Sequence, residues 1–198
     1  NDAPILSGID NQAIDEDSSF SIELLASDID GDQLYYDASV DGNASVQLDG
    51  SDLNIIPDAD FNGIIIVSYS VSDGEYSDNG SFDLIVNPVN DAPVLSDIDN
   101  QAINEDSVLS IDLSASDVDG DVLIFSATNG DSEISVDGST LTITPPANYN
   151  GSNDVTVTVT DGELSDSVTF TLTVNPVNDA PFVANPIEDL EVDEDSDD

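Results

Sequence analysis

A four-residue mark, Asn1-Asp-Ala-Pro4, returns as Asn90-Asp-Ala-Pro93 and again as Asn178-Asp-Ala-Pro181, at offsets of 89 and 88 residues. A chain that repeats at a fixed period folds as a series of similar units rather than as one large body. Other signals recur between the marks. Asp15-Glu-Asp-Ser18 matches Asn104-Glu-Asp-Ser107, and Ala26-Ser-Asp-Ile-Asp-Gly-Asp32 matches Ala115-Ser-Asp-Val-Asp-Gly-Asp121. Ile56-Pro-Asp-Ala-Asp-Phe-Asn-Gly63 matches Thr144-Pro-Pro-Ala-Asn-Tyr-Asn-Gly151, and Val71-Ser-Asp-Gly-Glu75 matches Val159-Thr-Asp-Gly-Glu163. The expected organisation is a first repeat over 1–89, a second over 90–177, and the opening strand of a third over 178–198. Each full repeat is long enough for one small core. The boundary Val86-Asn-Pro-Val-Asn-Asp-Ala-Pro-Val94 holds two prolines and no Gly/Ser spacer, which predicts a stiff, short crossing.

Within a repeat the apolar period is two, the signature of strands rather than helices. Val155, Val157 and Val159 alternate with threonines, as do Val168, Phe170, Leu172 and Val174. The first repeat offers Phe20, Ile22 and Leu24; Leu34 and Tyr36; Val46 and Leu48; Leu53 and Ile55; Ile64, Ile66, Tyr69 and Val71; and Phe82, Leu84 and Val86 as core positions. Asp-Gly and Asn-Gly steps separate the runs, as tight turns require. About seven short strands per repeat predict an all-β chain of tandem seven-stranded immunoglobulin-like β-sandwiches joined end to end.

Composition narrows function by what is missing. The chain has 44 Asp and Glu and no Lys, Arg, His or Cys. Without basic residues it has no clamp for nucleic acid, and an anionic membrane surface would repel it. Without His, Cys or Lys it has no Ser-His or Cys-His nucleophile system, no ordinary zinc site and no Schiff base, so a non-enzymatic role is expected. No apolar run is long enough to insert in a membrane. The chain reads as part of a longer secreted or cell-surface polypeptide. A formal charge of −44 with no internal cation must be balanced from solution.

The acids recur at fixed places at strand ends. Glu16 and Glu105 precede the second strand; Asp28 and Asp30, and Asp117 and Asp119, follow it in Asp-x-Asp-Gly turns; Asp73 and Asp161 end the long penultimate strand. Asp58 and Asp60 share one loop, and Asn90, Asp91, Asn178 and Asp179 lie at repeat boundaries. Asp15, Asp17, Asp32 and Asp121 read as turn-formers. Carboxylate and amide oxygens of this kind suit Ca2+, which takes six to eight oxygen ligands. An EF-hand does not fit: loop position 1 would be Ala26 or Ala115, and position 12 of the second repeat would be Ser126.

The order Glu motif, Asp-x-Asp motif, strand-end Asp and Asn-Asp-Ala-Pro linker resembles the cadherin repeat, and most closely the bacterial cadherin-like tandem repeats of giant adhesins and extracellular fibres. The resemblance covers the whole chain. It implies Ca2+ bound between consecutive repeats. For the junction after the first repeat it implies Glu16 and Asp58 or Asp60, then Asn90 and Asp91 from the linker, then Asp117, Asp119 and Asp161. Asp2, Asp28, Asp30 and Asp73 would serve an upstream junction, and Glu105, Asn178 and Asp179 a downstream one. The loop Asp58-Ala-Asp60 becomes Pro146-Ala-Asn148 in the second repeat, a departure in ligand charge.

Two roles fit. One is a calcium-rigidified structural repeat of an adhesin stalk or filament, whose partners are neighbouring repeats or identical subunits. The other is a Ca2+-dependent adhesive module that binds a glycan or a cell-surface protein.

Overall fold

A computed structural model describes residues 1–130 and 132–181. Most of the predicted opening strand of a third repeat lies outside the described residues. All regular structure among the described residues is strand, and no helix is long and apolar enough to cross a membrane. The chain divides into two compact units. The first comprises Asn1–Ala92 together with Asp117–Asp121, and the second comprises Pro93–Ser116 with the chain from Val122 onward.

The first unit is built from β1 (Ile5–Leu6), β2 (Gln12–Asp15), β3 (Phe20–Glu23), β4 (Ala26–Ser27), β5 (Tyr35–Val40), β6 (Ala44–Asp49), β7 (Asp52–Pro57), β8 (Gly63–Ser72) and β9 (Ser77–Asn87). One sheet runs β2-β9-β8-β5, a second β3-β7-β6, and β1 pairs with β4. Nine segments make seven immunoglobulin-type strands, because the first and second strands are each broken in two. The second breaks at Leu24-Leu25. Leu24 turns into the core while Leu25 stays exposed; the Leu24 amide donates to the Ser51 carbonyl, and the Leu25 carbonyl accepts from Ser7. The broken first strand lets β2 cross to the other sheet and pair parallel with β9, Ile14 opposite Val86 and Asp15 opposite Asn87. That crossing sets Glu16 beside the end of β9, where its amide donates to the Asn87 carbonyl at 2.9 Å.

The second unit repeats the plan with β10 (Val94–Leu95), β11 (Gln101–Asn104), β12 (Leu109–Asp112), β13 (Ala115–Ser116), β14 (Ile124–Thr128), β15 (Glu133–Asp137), β16 (Thr140–Thr144), β17 (Gly151–Thr160) and β18 (Ser165–Asn175). Its sheets run β11-β18-β17-β14 and β12-β16-β15, with β10 on β13.

Each unit has its own core. Leu24, Leu53, Ile55, Ile65, Val67, Tyr69, Phe82, Leu84 and Val86 form the first; Leu141, Ile143, Val155, Val157, Val159, Phe170, Leu172 and Val174 anchor the second. Each such side chain contributes roughly 1.5–3 kcal/mol when fully buried. The expected inward phase at the start of β8 is corrected. Ile64 and Ile66 are 58% and 46% exposed, and Ile65 and Val67 are the buried pair. Ile64 to Val67 is apolar on both faces, so period two cannot assign its phase there. The pairing of β8 with β9, Tyr69 opposite Gly80 and Ile65 opposite Leu84, decides it.

The two cores differ at the cross-strand pair centred on Tyr69. In the first unit Tyr69 lies opposite Gly80; in the second Val157 lies opposite Val168. A Cβ on Gly80 would sit 2.8 Å from the Tyr69 ring and hydroxyl, so the glycine makes room for the phenol. The Tyr69 hydroxyl accepts from the Ile9 amide at 2.9 Å, which satisfies the polar end of a buried ring.

Candidate functional site

Glu16 is the first part of the site. It is 5% exposed, and its carboxylate accepts hydrogen bonds from the Val89 amide and the Asn62 side-chain amide. Buried carboxylates are held only where donors or cations meet them. Its equivalent Glu105, 7% exposed, accepts from the Val177 amide in the same way. Each of these glutamates thus ties the segment after its repeat's last strand back to the body of that repeat.

Asp91 is the centre of the site. Its amide donates to Asp119 Oδ2 at 2.8 Å. Oxygens of Glu16, Asp91 and Asp119 lie within 4.8 Å of one another, and so do oxygens of Asp17, Asp60 and Asp91. Asp91 Oδ2 is sealed from solvent with no hydrogen-bond partner among the described residues. Burial first, and then the charges of Asp60, Asp119, Asp17 and Glu16, push the Asp91 carboxyl above its ordinary range. Two groups of three carboxylates therefore share Asp91 in the first compact unit.

Backbone geometry explains how they get there. Asp17 and Asp60 both adopt left-handed conformations, φ 58° and 56°, and the Asp60 amide donates to Asp17 Oδ1 at 3.2 Å. Asp106 and Asn148 repeat this contact in the second unit, with φ 59° and 56° and a 3.0 Å bond. There the amide of Asn148 stands where the first unit has the charge of Asp60.

The Asp-x-Asp turns form two further groups, Asp28, Asp30 and Asp32, and Asp117, Asp119 and Asp121. Asp28 Oδ1 accepts from the amides of Asp30, Gly31 and Asp32 at 2.9, 2.9 and 3.3 Å. Gly31 and Gly120, at φ 77° and 80°, supply the left-handed step. Asp28 Oδ2 and Asp117 Oδ2 are, like Asp91 Oδ2, enclosed and without a hydrogen-bond partner among the described residues. In Asp28 and Asp117 one oxygen organises its own turn while the other has no hydrogen-bond partner among the described residues.

The remaining candidates make these contacts. Asp73 accepts from the Glu75 and Tyr76 amides at 2.7 Å each, and these bonds hold its carboxyl below the ordinary range. Asp161 accepts from the Glu163 and Leu164 amides at 2.6 and 2.7 Å. Asp58 is exposed, and its backbone bonds Asn43 and Phe61. The Asp2 amide donates to Asp30 Oδ2 at 2.6 Å. The Asn90 and Asn178 side-chain amides donate to the carbonyls of Asp91 and Asp179 at 3.4 and 3.3 Å. Among the described residues, Asp58, Asp73, Asp161 and Asp179 join no group of three carboxylates.

Sequence reasoning passed over Asp17, Asp32 and Asp121 as turn-formers. The pairing of Asp17 with Asp60 is a contact across 43 residues, which spacing does not show. The available signal was the mirrored Asp106 and Asn148 at the same places in the second repeat.

A family model described as bacterial Ig domain matches the chain twice, over residues 1–84 and 90–174. Chitinase A of Pseudoalteromonas piscicida is 33% identical over 133 residues, which is 60% of this chain and 16% of that protein. The chain thus spans only a small part of that relative. Drosophila N-cadherin EC1-4 matches with a TM-score of 0.53 at 18% identity, over 89% of this chain and 50% of that one. Human protocadherin-24 EC1-2 matches with a TM-score of 0.50 at 16% identity, over 90% of this chain and 100% of that one. Two family matches and a cadherin-type fold agree with the doubled strand plan: the chain belongs to the bacterial Ig domain family, as tandem cadherin-like β-sandwich repeats.

Proposed function

We propose that this chain is a calcium-rigidified structural repeat of a secreted or cell-surface bacterial protein. Tandem bacterial Ig and cadherin-like domains suggest an extracellular structural or adhesive repeat, and such domains are generally non-catalytic. The observation that carries the calcium reading is the convergence on Asp91. Its Oδ2 is enclosed and without a hydrogen-bond partner among the described residues, and its carboxylate groups with those of Glu16 and Asp119 and with those of Asp17 and Asp60, in a chain without one Lys, Arg or His. Only a cation from solution can neutralise that group.

The donor chemistry fits Ca2+. All donors are oxygen, which favours hard cations. Ca2+ binds oxygen at about 2.4 Å, so one ion can span oxygens up to about 4.8 Å apart. The oxygens of Glu16, Asp91 and Asp119 meet that limit. Glu16 belongs to the first sequence repeat, Asp91 to the linker and Asp119 to the Asp-x-Asp turn of the second. An ion they share converts repulsion at the linker into a cross-link. Long arrays of such repeats would stiffen as calcium binds, with neighbouring repeats or identical subunits as partners, in an adhesin stalk, a filament or a spacer in a secreted enzyme.

Small-angle scattering of the chain in calcium and after chelation tests the proposal. Removing calcium should broaden the distribution of particle dimensions and expose the Val86–Val94 crossing to proteolysis. Identical scattering and digestion in both states would refute it.

A further inference from the structure

The two repeats share one aromatic-over-glycine arrangement and fill it with different chemistry. Phe61 packs on the first core and Tyr149 on the second. A Cβ on Gly63 would lie 3.1 Å from the Phe61 ring, and one on Gly151 would lie 3.0 Å from the Tyr149 hydroxyl, so the two rings occupy matching places. Both glycines have φ near +147°, at 145° and 149°. Ile65, fully buried opposite Leu84, is replaced at the matching ladder position by Asn153 opposite Leu172. The Tyr149 hydroxyl donates to Asn153 Oδ1 at 2.8 Å. Asn153 Nδ2, however, is sealed from solvent and has no hydrogen-bond partner among the described residues. The same holds for Ser132 Oγ, in a position that is Ala44 in the first repeat.

Two apolar positions of the first repeat, Phe61 and Ile65, have thus become the hydrogen-bonded pair Tyr149 and Asn153. A lone polar substitution in a core is costly because an unpaired buried donor loses its water. A coordinated set is tolerated when every member is satisfied. Tyr149 satisfies one end of Asn153. Exchanging the amide oxygen and nitrogen leaves the same shortfall, since one amide atom still lacks a partner.

We infer that the second repeat holds an internal water-binding site at Asn153, beside Tyr149, for which the first repeat has only an apolar counterpart. Buried waters make about three hydrogen bonds to groups of this kind. The site would add a further difference between the two repeats, a hydrated amide at Asn153 where the first repeat has the buried Ile65.

A high-resolution crystal structure of the whole chain, and of the Tyr149→Phe, Asn153→Ile double variant, tests this. The wild type should show an ordered water within hydrogen-bond distance of the Asn153 amide. The variant, carrying the first repeat's residues, should lack it and unfold at a higher temperature. A protein group or dry space against the wild-type amide would overturn the inference, and this arm stands even if the variant fails to fold. A water that persists in the variant, or a lower unfolding temperature, would overturn it as well.

Discussion

Replacing Glu16 separates the two things its carboxylate does. Glu16→Ala removes the acceptor for the Val89 amide and the Asn62 side chain, at a residue only 5% exposed. A hydrogen bond to a charged group contributes about 1.5–3 kcal/mol. A domain of this size shifts its unfolding midpoint by about 4–8 °C per kcal/mol, so the alanine variant should melt roughly 6–24 °C lower even in EDTA. Glu16→Gln keeps the shape and an acceptor oxygen for Val89 but removes the charge. Its EDTA midpoint should match or exceed the wild type, because carboxylates of Asp91 and Asp119 lie close by. Calcium reverses the order. At about 10 mM Ca2+, a site of 10⁻⁴–10⁻³ M affinity adds about 1.4–2.7 kcal/mol to the wild type. The glutamine variant should lose most of that gain. Thermal unfolding of both variants in EDTA and in calcium reads the contrast, and the equivalent Glu105 substitutions provide an internal reference. The reasoning fails if glutamine and alanine are equally destabilising in EDTA, or if glutamine keeps the full calcium-induced rise.

Four further substitutions probe other parts of the account. Gly80→Ala should cost about 1–3 kcal/mol by overpacking, since its Cβ would meet the Tyr69 ring at 2.8 Å; adding Tyr69→Val, which opens the space seen at Val157, should recover part of it, and strictly additive losses in urea midpoints would argue against the pairing. Asp73 is held below its ordinary value of 3.8 by the Tyr76 and Glu75 amides, so its ionised form stabilises the fold above that pH and the contribution fades in acid. Asp73→Ala should therefore melt lower than wild type at neutral pH, with the gap narrowing as pH falls below 3.8; a pH-independent gap would contradict the assignment. Asp91 has the opposite sign: its carboxyl is raised above 3.8, so in EDTA its charge opposes folding increasingly as pH rises through that raised value. Asp91→Asn should melt above wild type at neutral pH without calcium and below it with calcium, and a loss in both conditions would count against the cluster.

The repeat, the strand plan and the division into two sandwiches were legible because period two and the returning motifs act locally and twice. The phase of β8 was not, because Ile64 to Val67 is apolar at every position and only the pairing of Ile65 with Leu84 turns it. Glu16, Asp91 and Asp119 were legible as candidates from motif order. Asp17 was not, because it reaches Asp60 through two left-handed residues distant in sequence. Asp73 and Asp161 were legible as strand-end acids, yet each spends an oxygen on two amides of its own turn. Spacing alone does not tell a turn-forming carboxylate from one with a free oxygen. The enclosed second oxygens of Asp28, Asp91 and Asp117 make that distinction, and they are set by folding rather than by spacing.

A calcium titration of the isotopically labelled chain, followed by amide NMR, tests the central claim directly. The account predicts that the amides of Glu16, Asp17, Asp60, Asp91 and Asp119 move first and together as calcium is added, and return on chelation. Diffuse shifts spread over all exposed aspartates, or none at those five residues at millimolar calcium, would contradict it.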